Sequence, residues 1–353
     1  MHATTTFLAL LIFASPVSAQ YCPVAVGPGC DRIWLVENGA PPQRENQDPT
    51  LPTHFRHLPE VGLRSLGESG SAQPTATGYG QIASWLRKIY PQVRTVAVFD
   101  LRQESHGYVA GTPLSWYFGR DQVNCGKSEL GMAQDEGERL AALGKQTVVD
   151  LFGRTTPPTD GACKTGIAPR TIPARLIQSE AEVVKALGSH WRYYRLHIAD
   201  FHPPSDDTVD FFVGVLKTLP EKSWLHFHCA AGDGRTTTLM AMAEVMRSAR
   251  TTDLERIIAQ QRQLGHGAID LGEYCNIPKW KSDWARDRLW FLRLFYQYAN
   301  EQSPGFELGY SKWKAENSGS VKDLRPLECA AGALPAALAA TSPDCDDCPN
   351  PRR

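Results

Sequence analysis

The segment from Trp224 to Met246 constrains the chain more than any other stretch. Trp224-Leu225-His226-Phe227-His228-Cys229 reads as a buried strand, and the residues after Arg235 are a run of good helix formers. Between them, Ala230-Ala231-Gly232-Asp233-Gly234 reads as a loop. A strand that feeds a helix through such a loop leaves unpaired N–H groups converging at the helix N-terminus, where anions bind. Gly232 and Gly234 let the loop curl so that successive N–H groups face one point. Cys229 opens this loop and Arg235 closes it. N–H dipoles and a guanidinium favour a thiolate, the nucleophilic form of the sulfur. Arg235 offers a planar fork matched to two phosphoryl oxygens, and Thr236 offers a hydroxyl to the sulfur or to a leaving phosphate. A cysteine after an apolar strand is most often a core thiol. The conjunction of His228, two glycines, Arg235 and Thr236 in a strand-to-helix setting favours a catalytic one. No Lys-Ser/Thr pair follows Gly234, so the loop is not a nucleotide-binding P-loop.

The 353 residues suffice for a large domain and a smaller one. With 42% hydrophobic and 21% charged residues, the composition is that of a globular enzyme. A net charge of −1 gives no bulk attraction for nucleic acid, so any preference for anions must be local. Residues 1–19 have a short apolar core followed by Val17-Ser18-Ala19, which reads as a signal peptide for export to the periplasm or the medium. That run is too short to span a bilayer, and no other stretch qualifies. Setting Cys229 aside, eight of the nine cysteines remain, an even number suited to disulfides in an oxidising compartment.

Along the chain, residues 20–60 look irregular and are a candidate to complete a small domain. Residues 61–143 read as the first part of the main domain: Ser69–Gln73 as a loop, a helix around Gly78–Tyr90, a buried strand at Val93–Leu101, and a helix at Ala133–Leu143. Residues 144–182, rich in Pro and Gly with short strands, read as a small β insertion. Residues 183–318 bring a strand at Tyr193–Ala199, a helix at Asp206–Leu219, the Cys229 loop, a helix at Thr252–Leu264 and an aromatic helix from Leu289. Residues 319–353 form an Ala-, Pro- and Cys-containing tail.

Several blocks, in order over roughly residues 50–315, resemble one family, the protein-tyrosine-phosphatase-like inositol polyphosphate phosphatases, or cysteine phytases. They are Asp100-Leu101-Arg102-Gln103-Glu104-Ser105-His106-Gly107 with Ser115-Trp116-Tyr117, the Trp224–Cys229 strand with Gly234-Arg235-Thr236-Thr237, and Trp280-Lys281 with Phe295-Tyr296-Gln297-Tyr298. The resemblance implies an α/β cysteine-phosphatase (tyrosine-phosphatase-like) fold, with a central sheet flanked by helices and a small β-barrel-like inserted domain. It further implies attack by Cys229, a phosphocysteine intermediate, and Asp200 as general acid. Loop residues Ala230, Ala231, Gly232, Asp233 and Gly234 would bind the reacting phosphate, with Arg235. Arg56, Lys279, Lys281 and Arg286 are candidates for the other phosphates, although surface cations of this kind are often only solvated. His228, Gln261, Glu104 and His106 are candidates for supporting roles, His228 toward Cys229 and Gln261 toward a water.

The expected substrate is inositol hexakisphosphate, with no cofactor and no metal. The alternatives are a protein tyrosine or phosphoinositide phosphatase, or a non-catalytic inositol phosphate-binding module. Two positions depart from the family pattern: Ala230 where phytases often carry Glu, and Asp233, which puts a negative charge on the loop itself.

Overall fold

The computed structural model describes residues 32–35, 51–59, 67–117, 124, 126–153, 170–265, 275 and 279–318. Five strands make the central sheet in the order β10 (Trp191–Arg195), β4 (Thr95–Asp100), β11 (Ser223–Cys229), β3 (Gly67–Ala72) and β2 (Arg56–Leu58). The first four run parallel, and β2 closes the edge antiparallel to β3. Register brings the strand ends level: Cys229 stands beside Ala72, His228 beside Asp100, and Asp100 beside Arg195. The loops that leave these carboxyl ends therefore share one edge of the sheet, where α/β folds place their sites.

All seven residues of β11 are buried, as expected of a strand covered on both faces. Leu225, Phe227 and Cys229 join the core formed with α4 (Asp206–Thr218), α5 (Gly234–Ser248), α6 (Leu254–Leu264) and α7 (Lys279–Gln302). Trp224 turns to the other face, into the core under α1 (Ala76–Ile89) and α3 (Glu180–Lys185). Helix starts follow local chemistry: Thr75, Ser128, Ser179, Ser205 and Asp253 each accept a backbone N–H of the first turn, and Ser179 with Glu182 completes a capping box. Ser128 starts α2 (Glu129–Leu143) four residues before the helix expected from Ala133. A short last helix, α8 (Tyr310–Glu316), packs Tyr310 and Trp313 on Phe291, Phe295 and Tyr298 of α7.

The second sheet has six strands in the order β8 (Arg170–Pro173), β7 (Val148–Gly153), β1 (Arg32–Leu35), β6 (Thr112–Tyr117), β5 (His106–Val109) and β9 (Ile177–Gln178). Three of these strands come from the stretch 144–182. One comes from the N-terminal segment, and the β5–β6 hairpin follows directly from the block after β4. The hairpin was not legible as strands, because Gly, Pro and Ser interrupt its apolar positions.

The loop expected at Ser69–Gln73 is instead mostly strand β3, and every residue of that strand is buried. Its sequence, Gly67-Glu68-Ser69-Gly70-Ser71-Ala72, has turn composition. The reason for small residues is space. A Cβ at Gly67 would lie 2.2 Å from the Trp224 ring. Trp224 Nε1 and His226 also take Ser69 Oγ as hydrogen-bond partner, so the polar side chains of β3 are satisfied by β11. Gly67→Ala is expected to destabilise the fold by about 1–3 kcal/mol, the usual cost of overpacking, measurable as a lowered midpoint in urea unfolding.

Candidate active site

Strand β11 delivers Cys229 to the sheet edge, and the chain turns through Gly232 at φ +79° into α5. Gly232 is required twice over: its φ is in the left-handed region, and a Cβ would come within 2.3 Å of Ala72 N. The buried Cys229 Sγ accepts hydrogen bonds from Gly232 N–H and from Thr236 Oγ1, each at 3.3 Å. Both donors point at the sulfur that the sequence singles out as the nucleophile.

Arg235 is the first turn of α5 and is buried. Its Nη1 and Nη2 donate to the two Glu104 oxygens at 2.7 and 3.0 Å, and Nη1 also reaches Ile198 O. The edge left over is Nε, which lies 3.3 Å from Asp200 Oδ1 as an ion pair without a hydrogen bond. Burial works against the Arg235 charge, but Glu104, Asp200 and Cys229 more than offset it and hold the guanidinium firmly protonated. Glu104 is held well below the ordinary carboxylate range: burial pushes it up, and Arg235 and Arg102 overcome that. Arg102 in turn donates to Glu104, Gln73 and Ser115.

Asp200 follows β10 on a turn whose next residue, Phe201, has a left-handed φ of 67°. A bulky aromatic there is strained and stays only where its surroundings fix it. The fixing element is Trp284 of α7, which stacks on Phe201 (5.1 Å between rings) and tilts against His202 (5.3 Å). His202 Nδ1 also bonds Asp200 O.

The expected cation set is rearranged. Arg56 is buried beneath the loop, with Nη2 donating to Thr237 Oγ1 at 2.9 Å and Nη1 to His54 O at 3.1 Å. Burial lowers it to about 10. It supports the loop from below and does not line an outer phosphate site. Arg286 is also buried and pairs with Asp283 at 3.1 Å. Lys279 and Lys281 open α7, and their side chains lie outside the described residues. Arg288, absent from the expected set, lies against the loop: a Cβ at Gly234 would meet its Nη1 at 2.6 Å.

Two supporting roles are corrected. Side chains alternate along a strand, so His228 points away from Cys229 to the opposite face of the sheet. There its Nε2 lies 3.3 Å from Glu180 Oε1 and 3.2 Å from Tyr79 Oη. Gln261 hydrogen bonds Glu244 at 3.4 Å, ten residues and about 15 Å of helix rise beyond Gly234. It cannot orient a water at Cys229 from there. His106 joins the network behind the sheet, with Nε2 at 2.9 Å from Glu180 and 3.1 Å from Asp100. Asp100, Glu180 and His228 bring one ligand atom each within 4.8 Å of one another, a spacing that could hold a metal ion. A protonated His106 between the two carboxylates supplies positive charge at that point. Cys229 is a free thiol, and apart from Cys275 the other cysteines lie outside the described residues.

Residues 99–247 match the PTP-like phytase family, described by its substrate, inositol hexakisphosphate. Over that segment the chain carries the family's pattern. It is similar to a PTP-like phytase structure from Bdellovibrio bacteriovorus, at 26% identity and TM-score 0.62, covering 84% of this chain and 97% of that one. It is also similar to the PTP-like myo-inositol phosphatase of Mitsuokella multacida, solved with myo-inositol-(1,3,4,5)-tetrakisphosphate, at 27% identity and TM-score 0.67, covering 88% of this chain and 50% of that one. Among curated proteins it is 31% identical over 230 residues to effector protein hopD2 of Pseudomonas syringae pv. tomato, spanning 63% of this chain and 46% of the effector. Among the described residues, no helix is long and apolar enough to cross a membrane.

The His106 network predicts a pH dependence. Burial pulls His106 down, but Asp100 and Glu136, opposed by Arg195 and Arg102, lift it from 6.5 to about 9. A raised folded-state value means its contribution is complete below pH 6.5 and is lost as pH rises through 9. Urea midpoints of the wild type are therefore expected to fall between pH 6.5 and 9.5. His106→Gln should start lower and change less across the same range.

Proposed function

We propose that the protein hydrolyses phosphomonoesters of inositol polyphosphates, inositol hexakisphosphate foremost, through a phosphocysteine. The carrying observation is the convergence of Cys229 Sγ, Arg235 Nε and Asp200 Oδ1 at the end of β11. Sγ holds two donors at 3.3 Å, and the Nε edge of Arg235 faces the carboxylate. In the first step Sγ attacks phosphorus in line, the P–O bond to the inositol carbon breaks, and Asp200 gives its proton to the leaving alkoxide. Arg235 Nε and the loop N–H groups take up the charge on the transferred oxygens. In the second step water attacks phosphorus, Asp200 takes its proton, and the S–P bond breaks to return the thiolate. No cofactor enters either step.

The match to the family and the inositol tetrakisphosphate complex of the Mitsuokella structure support an inositol phosphate as substrate. The likeness to an effector protein keeps a phosphotyrosine protein in the comparison as the rival. Export belongs to the same proposal, supported by the leader-like residues 1–19 and the even number of cysteines left once Cys229 is set aside.

The test is phosphate release from inositol hexakisphosphate beside a phosphotyrosine peptide, in metal-free buffer, with Cys229→Ser in parallel. Turnover of the first substrate that disappears in Cys229→Ser while binding persists supports the reading. Cys229→Ser turnover near the wild-type rate would sink it, and binding without wild-type turnover would leave a non-catalytic module. Asp200→Asn is expected to lower kcat about 10²–10⁴-fold, and less on an activated aryl phosphate, whose leaving group needs little protonation. Trp284→Ala, which frees the Asp200 turn, is expected to follow the same leaving-group pattern with a loss of about tenfold in kcat and little change in KM. Trp284→Phe should recover most of the loss.

A further inference from the structure

Position 233 carries a carboxylate in the middle of an anion-binding loop, a placement that by itself opposes the ligand. It does not serve the helix either. Asp233 is the N-cap residue of α5 but makes no capping hydrogen bond with its side chain. Its carboxylate turns instead to His54, from the segment before β2, with Nδ1 at 3.2 Å from Asp233 Oδ1. The same Nδ1 lies 2.8 Å from Ala231 O, which fixes it as an N–H donor. His54 has a left-handed φ of 58°, and its carbonyl is held by Arg56, so backbone and ring are both pinned at the loop. The Asp233 side chain is 41% exposed and that of His54 17%, so the pair stands at the solvent side of the cradle while Cys229 lies beneath it.

We propose that His54 and Asp233 form a proton-gated pair that sets how strongly this site prefers polyphosphorylated over singly phosphorylated substrates. The inference rests on the function proposed above and adds a specificity determinant to it. With His54 protonated, the pair has no net charge. With His54 neutral, the pair carries −1. A monophosphate places only its reacting group in the cradle. A hexakisphosphate also brings further phosphates across the rim, so it is more sensitive to that charge.

Among the described residues, the charged and titratable groups near the pair include Asp233 itself on the loop, Arg56 on β2, Cys229 at the end of β11, Glu68 of β3 facing Arg56, and Arg288 of α7, whose guanidinium lies against Gly234. Burial pulls His54 down, Arg56 adds to that, and the Asp233 carboxylate with Ala231 O outweighs both, leaving His54 above 6.5. The pair is therefore neutral at acid pH and becomes anionic as pH rises past that raised value. Preference for the polyanion should decline in the same direction.

The experiment measures kcat/KM for inositol hexakisphosphate and for p-nitrophenyl phosphate from pH 5 to 8.5, at low and high salt. Wild type is compared with His54→Gln, which keeps a neutral donor, and with Asp233→Asn. The substrates' own titration is common to all three proteins, so the ratio of variant to wild type isolates the pair. In wild type the ratio of the two kcat/KM values, relative to that of Asp233→Asn, is expected to fall about threefold to tenfold across the range at low salt, the weight of one partly exposed charge. His54→Gln should lie low at acid pH and show no such fall, and all differences should shrink at high salt. Ratios that run parallel with pH in the three proteins would overturn the proposal. Dissociation constants of inositol hexakisphosphate and inorganic phosphate on the Cys229→Ser background separate the two readings. Absence of hydrolysis by the wild type refutes the function proposed above, whereas parallel pH dependence of these constants in the three forms refutes the gate.

Discussion

The buried pairing of Arg235 with Glu104 is the interaction on which the rest of the site depends. It joins the segment after β4 to the start of α5, with both Arg235 terminal nitrogens committed and the buried Nε facing Asp200 without a hydrogen bond. Exchanging those two bonds for water would leave one buried charge uncompensated, so the pair is far easier to keep than to break. Arg102 buttresses Glu104 and is itself tied to Gln73 and Ser115, which links the rear of the cradle to β3 and to the six-stranded sheet. Arg235 is thus anchored directly by Glu104 and Ile198 O, and indirectly, through Glu104 and Arg102, by Gln73 and Ser115.

A second layer lies behind the sheet. Asp100, His106, Glu180, Tyr79 and His228 share hydrogen bonds within a region that is wholly buried. The network is the polar counterpart of an apolar core. It fixes β4, β5, α1, α3 and β11 relative to one another with directional contacts, and every carboxylate in it is matched by a histidine or an arginine. Trp284 supports the Asp200 turn by stacking on Phe201 and His202.

Much of this was legible in the sequence. Ser223–Cys229 and the helix after it coincide with what apolar patterning and the glycine-bearing loop demand, because that segment is buried on both faces and leaves few alternatives. The strand β3 was not legible. Its serines and glycines look like a turn until Trp224 and His226 arrive from 155 residues away to pack and hydrogen bond against them. The same holds for His54 and Trp284, whose partners are distant in sequence, and for Arg56, whose burial under the loop no local pattern reveals. Gln261 shows the reverse error: a polar residue on a helix was given a role at the loop, although its partner Glu244 lies near the far end of α5.

Strand β2 is small for what it carries. It is three residues long, it forms the outer edge of the central sheet, and just before or within it stand both His54 at the rim of the cradle and Arg56 beneath it. Edge strands are held by one neighbour only, and they are the first part of a sheet to open. The rim and the underside of the cradle therefore hang on a single hinge-like margin, Ala72 N–H to Thr53 O and the β2–β3 ladder. Whatever loosens that margin detaches both supports together while Cys229, Arg235 and Glu104 stay in the core, so the rim and the underside of the loop can open without disturbing the buried centre.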